Sequence, residues 1–148
     1  MSCYFRATGD EFDVDAFLAG SSLEPDEVFH RGEPGRALPK RKIPSSGFFI
    51  QVTDGFGRLN SHTIEAAAFL REHELELSRL SRYPGVTDLW LDFGYNRDPD
   101  AAVQCDYLPP ELLTRAGSLG IGIELSLYPP ANDDEDDDVS DSAESPPG

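Results

Sequence analysis

Most of the strand-like segments of this chain place apolar side chains at every second position, and this alternation constrains the fold more than any other feature. The clearest case is segment 86–95, whose two alternating sets are Leu89, Leu91, Phe93 and Tyr95, and Trp90, Asp92 and Gly94. Successive side chains of a strand point to opposite faces, so such a strand has one covered face and one wet face. We therefore predict an α+β fold, a two-layer sandwich with helices packed on one face of a mostly antiparallel sheet.

Residues 1–130 are predicted to form this single α+β domain from six strands and three helices. The strands are expected at 3–8, 27–29, 48–53, 86–95, 103–107 and 121–128. In the third strand, Phe48, Ile50 and Val52 are expected on one face. A short helix is expected at 13–20, a main helix at 61–81, and a third helix that opens at Pro109-Pro110, because proline suits the first turn of a helix. The polar, basic segment 36–45 is expected to be a surface loop.

Two helix starts are predicted from their flanking residues. Asp13 is expected to cap the first helix, and Asn60 is expected to cap the main helix. Leu59 and Ile64 have the spacing of a hydrophobic staple around the second of these starts. The stripe of apolar residues along 61–81 predicts one continuous helical face.

The composition changes abruptly after Pro130. Residues 131–148 contain eight acidic residues, no lysine or arginine, and only Ala131, Val139 and Ala143 as apolar side chains. Such a segment buries too little apolar surface to offset the entropy lost on ordering, so we predict a disordered acidic tail. The body up to Pro130 holds 20 acidic and 12 basic residues, a net charge of −8 out of −16 for the whole chain.

The negative charge of the body indicates which kinds of partner to expect. An acidic body repels phosphate backbones, so nucleic acid is not an expected ligand, whereas a basic protein surface is attracted.

The longest apolar run, 66–70, is far shorter than the ~20 residues of a membrane-spanning helix, and no membrane contact is expected. The chain opens without the basic and apolar regions of a secretory signal, and Cys3 and Cys105 form no CxxC pair. We expect a cytoplasmic protein with both thiols free and buried in strands.

Patterns of catalysis or of metal and cofactor binding are not visible. The three histidines, His30, His62 and His73, occupy separate local settings, and no HExxH motif occurs. No Gly-x-Ser-x-Gly elbow is present, and segment 54–57 (Asp-Gly-Phe-Gly) lacks the lysine and the glycine spacing of a phosphate-binding loop. We therefore predict no catalytic residue, no cofactor and no metal.

Two places remain candidates for binding a partner. Trp90, with Asp92 on the same strand face, lies opposite the inward set of its strand, so either a second layer covers that face or Trp90 is an exposed aromatic anchor. Arg31 and Glu33 lie in the one basic region of the chain. That region either clamps an anionic group or is simply a surface loop.

Three segments resemble a known family. Gly9 to Asp13, Leu23 to Glu33 and Leu112 to Ile121, the last continuing to Pro129, occur in the order found in a bacterial family of short proteins, number four-two-seven-nine in the domain-of-unknown-function series. The resemblance covers about residues 4–129. It implies an α+β fold, no assignable catalytic residue and, by analogy with small acidic bacterial proteins, an immunity function in a toxin system.

Three functions are therefore considered. The first is a non-enzymatic protein-binding domain, of the inhibitor or immunity kind, that neutralises a basic partner. The second is an enzyme or small-ligand binder with a site near His30, Arg31 and Glu33. The third is a scaffold subunit whose Trp90 face pairs with a second copy. The sequence leaves the oligomeric state and the partner open.

Overall fold

The computed structural model describes residues 1–130 and confirms the predicted fold class, an open sheet with helices packed against one face. The predicted tail, 131–148, lies outside the described residues. The elements in chain order are β1 (Ser2–Gly9), α1 (Val14–Ala19), β2 (Glu27–Phe29), β3 (Ser46–Asp54), α2 (Leu59–Glu72), α3 (Glu74–Ser81), β4 (Asp88–Asn96), α4 (Pro110–Ser118) and β5 (Gly122–Tyr128).

The sheet has the strand order β2-β3-β1-β4-β5. β2 with β3, β3 with β1, and β1 with β4 pair antiparallel, whereas β4 and β5 are parallel. A parallel pair needs a crossover connection, and α4 lies within the one that joins β4 to β5. The edges of the sheet are therefore the three-residue strand β2 and the seven-residue strand β5.

The helices cover the face of the sheet that the alternation predicts. Phe5, Phe48 and Phe93 are completely buried, and Leu70 of α2 and Leu112 of α4 are buried with them. The start of α1 is also as predicted, because the Asp13 carboxylate accepts a hydrogen bond from the Ala16 backbone N–H at 3.1 Å. Within residues 1–130 no helix has the length and apolar character to cross a membrane.

The main helix differs from the prediction at both its start and its middle. α2 begins at Leu59 with Arg58 as its N-cap, so Asn60 lies inside the first turn and does not cap the helix. Ile64 is 67% exposed and cannot form the predicted staple with the buried Leu59. The helix also breaks at His73, whose backbone angles (φ −104°, ψ 17°) leave the helical region and separate α2 from α3. The apolar stripe is buried on both sides of the break, which is why periodicity alone did not reveal it.

The strand predicted at 103–107 is wrong. Val103 is 78% exposed and Tyr107 is 63% exposed, and Cys105 is exposed as well, so this segment is a surface loop. β1 and β5 already pair with the two edges of β4, and no strand edge is left there for 103–107 to join. Of the two cysteines, only Cys3 is buried in a strand as expected.

A bulge changes which residue of β3 faces the core. The register between β1 and β3 shifts between Cys3 and Tyr4, which pair with Thr53 and Gln51. The intervening Val52 has no partner and is only partly buried, while Thr53 is 4% exposed. Val52 still packs against the core that holds Phe48 and Ile50, but the extra residue of the bulge makes Thr53 the buried position that follows Ile50.

Candidate functional site

The face of the sheet away from the helices carries the largest set of unassigned aromatic and charged side chains. Pairing across the sheet places Arg6 of β1 between Phe49 of β3 and Trp90 of β4, and Trp90 beside Gly122 of β5. The next row places Tyr4 of β1 beside Asp92 of β4. We call this surface, defined by Tyr4, Arg6, Phe49, Trp90 and Asp92, the open face.

No helix covers the open face within the described part of the chain, because the helices contact the sheet through the buried residues of its other face. Tyr4, Phe49 and Trp90 are each only partly buried. Of the two alternatives that the sequence left for Trp90, the geometry of residues 1–130 favours an accessible aromatic over a second core layer.

Arg6 contacts the other aromatic and charged residues in one half of the open face. Its guanidinium carbon lies 5.2 Å from the centroid of the Phe49 ring and 5.6 Å from that of Tyr4, and these two rings meet edge to face at 5.6 Å. The Arg6 Nε lies 3.8 Å from an Asp92 carboxylate oxygen. The other oxygen of Asp92 accepts a hydrogen bond from Ser126 of β5 at 2.8 Å. The charges in this half of the face are matched within the protein.

The Trp90 half of the open face is different. A shallow depression of about 390 Å³ lies beside the indole and is lined by Asp88, Leu89, Gly122 and Glu124 as well as Trp90. The depression exists because Gly122, the cross-strand neighbour of Trp90, has no side chain to fill it. We call it the Trp90 recess. Sequence reasoning missed Gly122 and Glu124, because their positions depend on the parallel pairing of β4 with β5. Asp88 was missed as well, although its spacing of two residues from Trp90 places it on the same strand face.

The second candidate, near Arg31 and Glu33, lies at the opposite edge of the sheet, where the chain leaves β2. His30 contacts two carboxylates, with Nε2 2.8 Å from Asp15 and Nδ1 3.3 Å from Glu33. The hydrogen bond to Asp15 raises the pKa of His30 above its usual value, and Glu33 adds to the effect. Arg31 donates a hydrogen bond to the Asp10 carbonyl at 3.4 Å. The structure therefore does not bring Arg31 and Glu33 together with Trp90 and Asp92.

The basic segment that follows is an ordered ribbon. Gly32 and Ile43 are joined by a backbone hydrogen bond of 2.9 Å, and Gly35 and Arg41 by one of 2.8 Å. Arg36 forms an ion pair with Glu27 at 3.2 Å. The side chains are exposed and spread along the ribbon, and they do not converge on an enclosed site.

A cleft that the sequence did not predict lies at the start of α2. It measures about 420 Å³ and is lined by Arg58, Asn60, Asp98 and Asp106, among others. Asp106 is already engaged, because it accepts a hydrogen bond from the Tyr95 hydroxyl at 2.6 Å. Burial, followed by this hydrogen bond, raises the pKa of Tyr95. The cleft therefore mixes a guanidinium, amides and carboxylates without a dominant charge.

Behind the cleft, His62 is buried and its Nδ1 pairs with the Thr53 hydroxyl. Its Nε2 has no hydrogen-bond partner in the part of the chain that the structure describes. In residues 1–130 no group of three or more histidine, cysteine or acidic side chains is arranged to hold a metal ion. Burial raises the pKa of the Cys3 thiol, so this cysteine is a packed apolar residue and not a nucleophile.

Comparison with known proteins adds no functional information. Searches against protein-family models, curated proteins and solved structures give no match. The resemblance to the domain-of-unknown-function family stays a prediction. The described residues offer three candidate places, the open face, the His30 cluster and the α2 cleft, and of these the open face is the one that groups several aromatic side chains with charged ones.

Proposed function

We propose that the protein is a non-enzymatic protein-binding domain, of the inhibitor or immunity kind, that uses the open face to bind a basic partner in the cytoplasm. The observation that carries the proposal is the set of partly buried aromatic side chains, Tyr4, Phe49 and Trp90, on a sheet face without a covering helix in residues 1–130. Aromatic residues in such a position are typical anchors of protein interfaces.

The charge of the domain supports a basic partner. The body carries a net charge of −8, and the tail adds a further −8. This field speeds the encounter with a positively charged surface, whereas the aromatic side chains supply the short-range contacts that slow dissociation. The field and the anchors thus act on different steps of the same association.

The test uses two double variants of the full chain, each of which replaces two large apolar side chains by alanine. In the first, Phe49→Ala and Trp90→Ala remove open-face aromatics. In the second, Phe56→Ala and Leu75→Ala remove side chains that are exposed elsewhere, on the β3–α2 loop and on α3. A partner captured by the wild-type protein is identified, purified and titrated against all three proteins by calorimetry.

The open-face variant is expected to bind at least ~30-fold more weakly, because loss of a central aromatic typically costs ~2 kcal/mol or more. The control variant is expected to match the wild type, and the association rate of every protein is expected to fall as salt rises. If the control variant loses binding and the open-face variant keeps it, the interface lies elsewhere. If the wild type instead dimerises through the open face, the protein is a self-associating scaffold.

A further inference from the structure

We propose that the Trp90 recess is a subsite for an arginine side chain of the basic partner. The inference depends on the proposed function and deepens it, since it names the group that the open face recognises. The recess is lined by Trp90, by two acidic residues, Asp88 and Glu124, and by Gly122, which has no side chain. An aromatic face next to carboxylates is the environment that a guanidinium prefers.

The protein contains the same arrangement elsewhere with its arginine in place. On the covered side, the Arg79 guanidinium lies 4.2 Å from the centroid of Phe17 and donates hydrogen bonds to Glu76, the shortest of 3.0 Å. On the open face, Arg6 lies over Phe49 and beside Asp92. The Trp90 recess repeats the aromatic and carboxylate parts of this arrangement.

Residues 1–130 place no cation in the recess. Within residues 1–130 no arginine or lysine lies over the Trp90 ring, and neither Asp88 nor Glu124 forms an ion pair there. Arg6, the cross-strand neighbour of Trp90, is directed toward Tyr4, Phe49 and Asp92. The recess is therefore an acidic aromatic surface without a matching charge.

The charge of the chain decides between the possible occupants. Residues 131–148 contain no lysine or arginine, so this segment cannot supply the missing cation. A second copy carries the same net charge of −16 and is repelled at long range. A basic partner is attracted by the field and brings the guanidinium, which satisfies both the ring and the carboxylates.

Two changes to the recess separate charge from shape. Asp88→Asn with Glu124→Gln removes both carboxylates and keeps their volumes. Gly122→Val leaves the charge unchanged and places a branched side chain in the recess, where an added Cβ meets its nearest neighbours at the ordinary van der Waals distance of 3.8 Å. The matched control, Glu72→Gln with Glu74→Gln, removes two exposed carboxylates from the helices and changes the net charge by the same amount.

The probe is a blocked Gly-Gly-Arg-Gly-Gly peptide, compared with a twin that has the neutral isostere citrulline in place of arginine. Binding to the full chain is followed through the indole N–H resonance of Trp90, the single tryptophan of the protein. We expect a millimolar dissociation constant for the arginine peptide, and binding about tenfold weaker for the citrulline peptide. The recess variants are expected to weaken binding of the arginine peptide by a similar factor, and the control variant by less than about twofold.

The inference is overturned if citrulline binds as well as arginine, or if the control variant weakens binding as much as the recess variants do. It is also overturned if the Trp90 resonance shifts when the protein alone is concentrated, because a second copy then occupies the recess. These results leave the proposed function standing if the Phe49→Ala, Trp90→Ala protein still loses its partner. If that protein keeps its partner, the proposed function fails and so does the assignment of the recess to that partner, even where the wild-type recess binds the arginine peptide.

Discussion

The two faces of the sheet differ in how far other parts of the chain cover them. On the covered face, Phe5, Phe48 and Phe93 are fully buried by helices of the chain itself. On the open face, Phe49 and Trp90 are shielded only in part. Both faces are aromatic, so aromatic content alone does not define a core. The difference shows that, within residues 1–130, helices cover one face of the sheet and leave the other face partly accessible.

Charge separates the two faces further. The buried polar residues of the domain are Thr53, His62 and Thr63, and none of them is a carboxylate, a lysine or an arginine. The open face carries Arg6 and Asp92, and the recess adds two more carboxylates. Burial of apolar area on the covered face stabilises the fold, whereas the role that we propose for the charged aromatic surface is to select a partner.

The largest expected effect separates the faces by stability. Phe93→Ala leaves a cavity under the helices and is expected to lower the free energy of unfolding by about 3–5 kcal/mol. Trp90→Ala removes a larger side chain but is expected to cost less than ~1.5 kcal/mol, because the indole is only partly buried. Urea unfolding followed by circular dichroism measures both, since Trp90→Ala removes the only tryptophan. Equal costs would mean that the open face is a second core.

A smaller effect comes from the two arginines that lie over aromatic rings. Arg79, between α3 and α1, donates hydrogen bonds to the Phe17 and Gly20 carbonyls at 3.3 and 3.2 Å and to Glu76. Arg6 approaches Asp92 only to 3.8 Å. We expect Arg79→Ala to lower the free energy of unfolding at least about twice as much as Arg6→Ala does.

Thermal and urea unfolding of the two alanine variants and of Arg79→Lys measure this difference. The lysine variant is expected to recover only part of the loss, because an ammonium cannot stack on Phe17 and bind carbonyls and a carboxylate at once. Full recovery by lysine would show that charge alone is responsible. A larger cost for Arg6→Ala than for Arg79→Ala would contradict the proposed division between the faces.

The covered face could be predicted from the sequence more completely than the open one. Alternation identified Leu91 and Phe93 as core residues, and a short polar side chain before an apolar run identified Asp13 as a cap. Both signals are local. The bulge at Val52 and the break at His73 are not, because each depends on how an element packs against distant parts of the chain.

The candidate site shows the same limit. Trp90 and Asp92 could be assigned to one strand face from their spacing, but their neighbours depend on which strand pairs with β4. The sequence predicted 103–107 as a strand, whereas β5 pairs with β4 and places Gly122 beside Trp90. The recess arises from this pairing, and no local pattern encodes it.

Fluorescence quenching measures how accessible Trp90 is to solvent and which charge surrounds it. Acrylamide is expected to quench Trp90, and caesium is expected to quench it about twofold more efficiently than iodide, because Asp88 and Glu124 attract cations and repel anions. Asp88→Asn with Glu124→Gln is expected to remove most of this preference, and Glu72→Gln with Glu74→Gln to leave it in place. Shielding of Trp90 from all three quenchers would show that the open face is covered.

The smallest expected effect lies at the other edge of the sheet, where His30 joins Asp15 of α1 to Glu33 of the basic ribbon. The hydrogen bond to Asp15 raises the pKa of His30 in the folded protein above the value of about 6.5 expected in the unfolded chain. A raised pKa means that the contribution to stability is fully present below the unfolded value and is lost as pH rises through the folded value. The His30 side chain is 38% exposed, so water and salt screen the pair.

We therefore compare the wild type with His30→Gln at pH 5.5 and pH 8.5, two values chosen about one to two units on either side of the pKa of histidine. The wild type is expected to be more stable than the variant by about 0.2–1 kcal/mol at the lower pH, and the advantage is expected to vanish at the higher pH. Asp15→Asn, the matched change on the partner, is expected to reduce this pH dependence, and high salt is expected to weaken it. An advantage that grows as pH rises would mean that neutral His30 is the stabilising form.

Because this cluster lies at the β2 edge and Trp90 lies beside β5, binding of the arginine peptide to His30→Gln is expected to equal that of the wild type, which separates the edge from the open face.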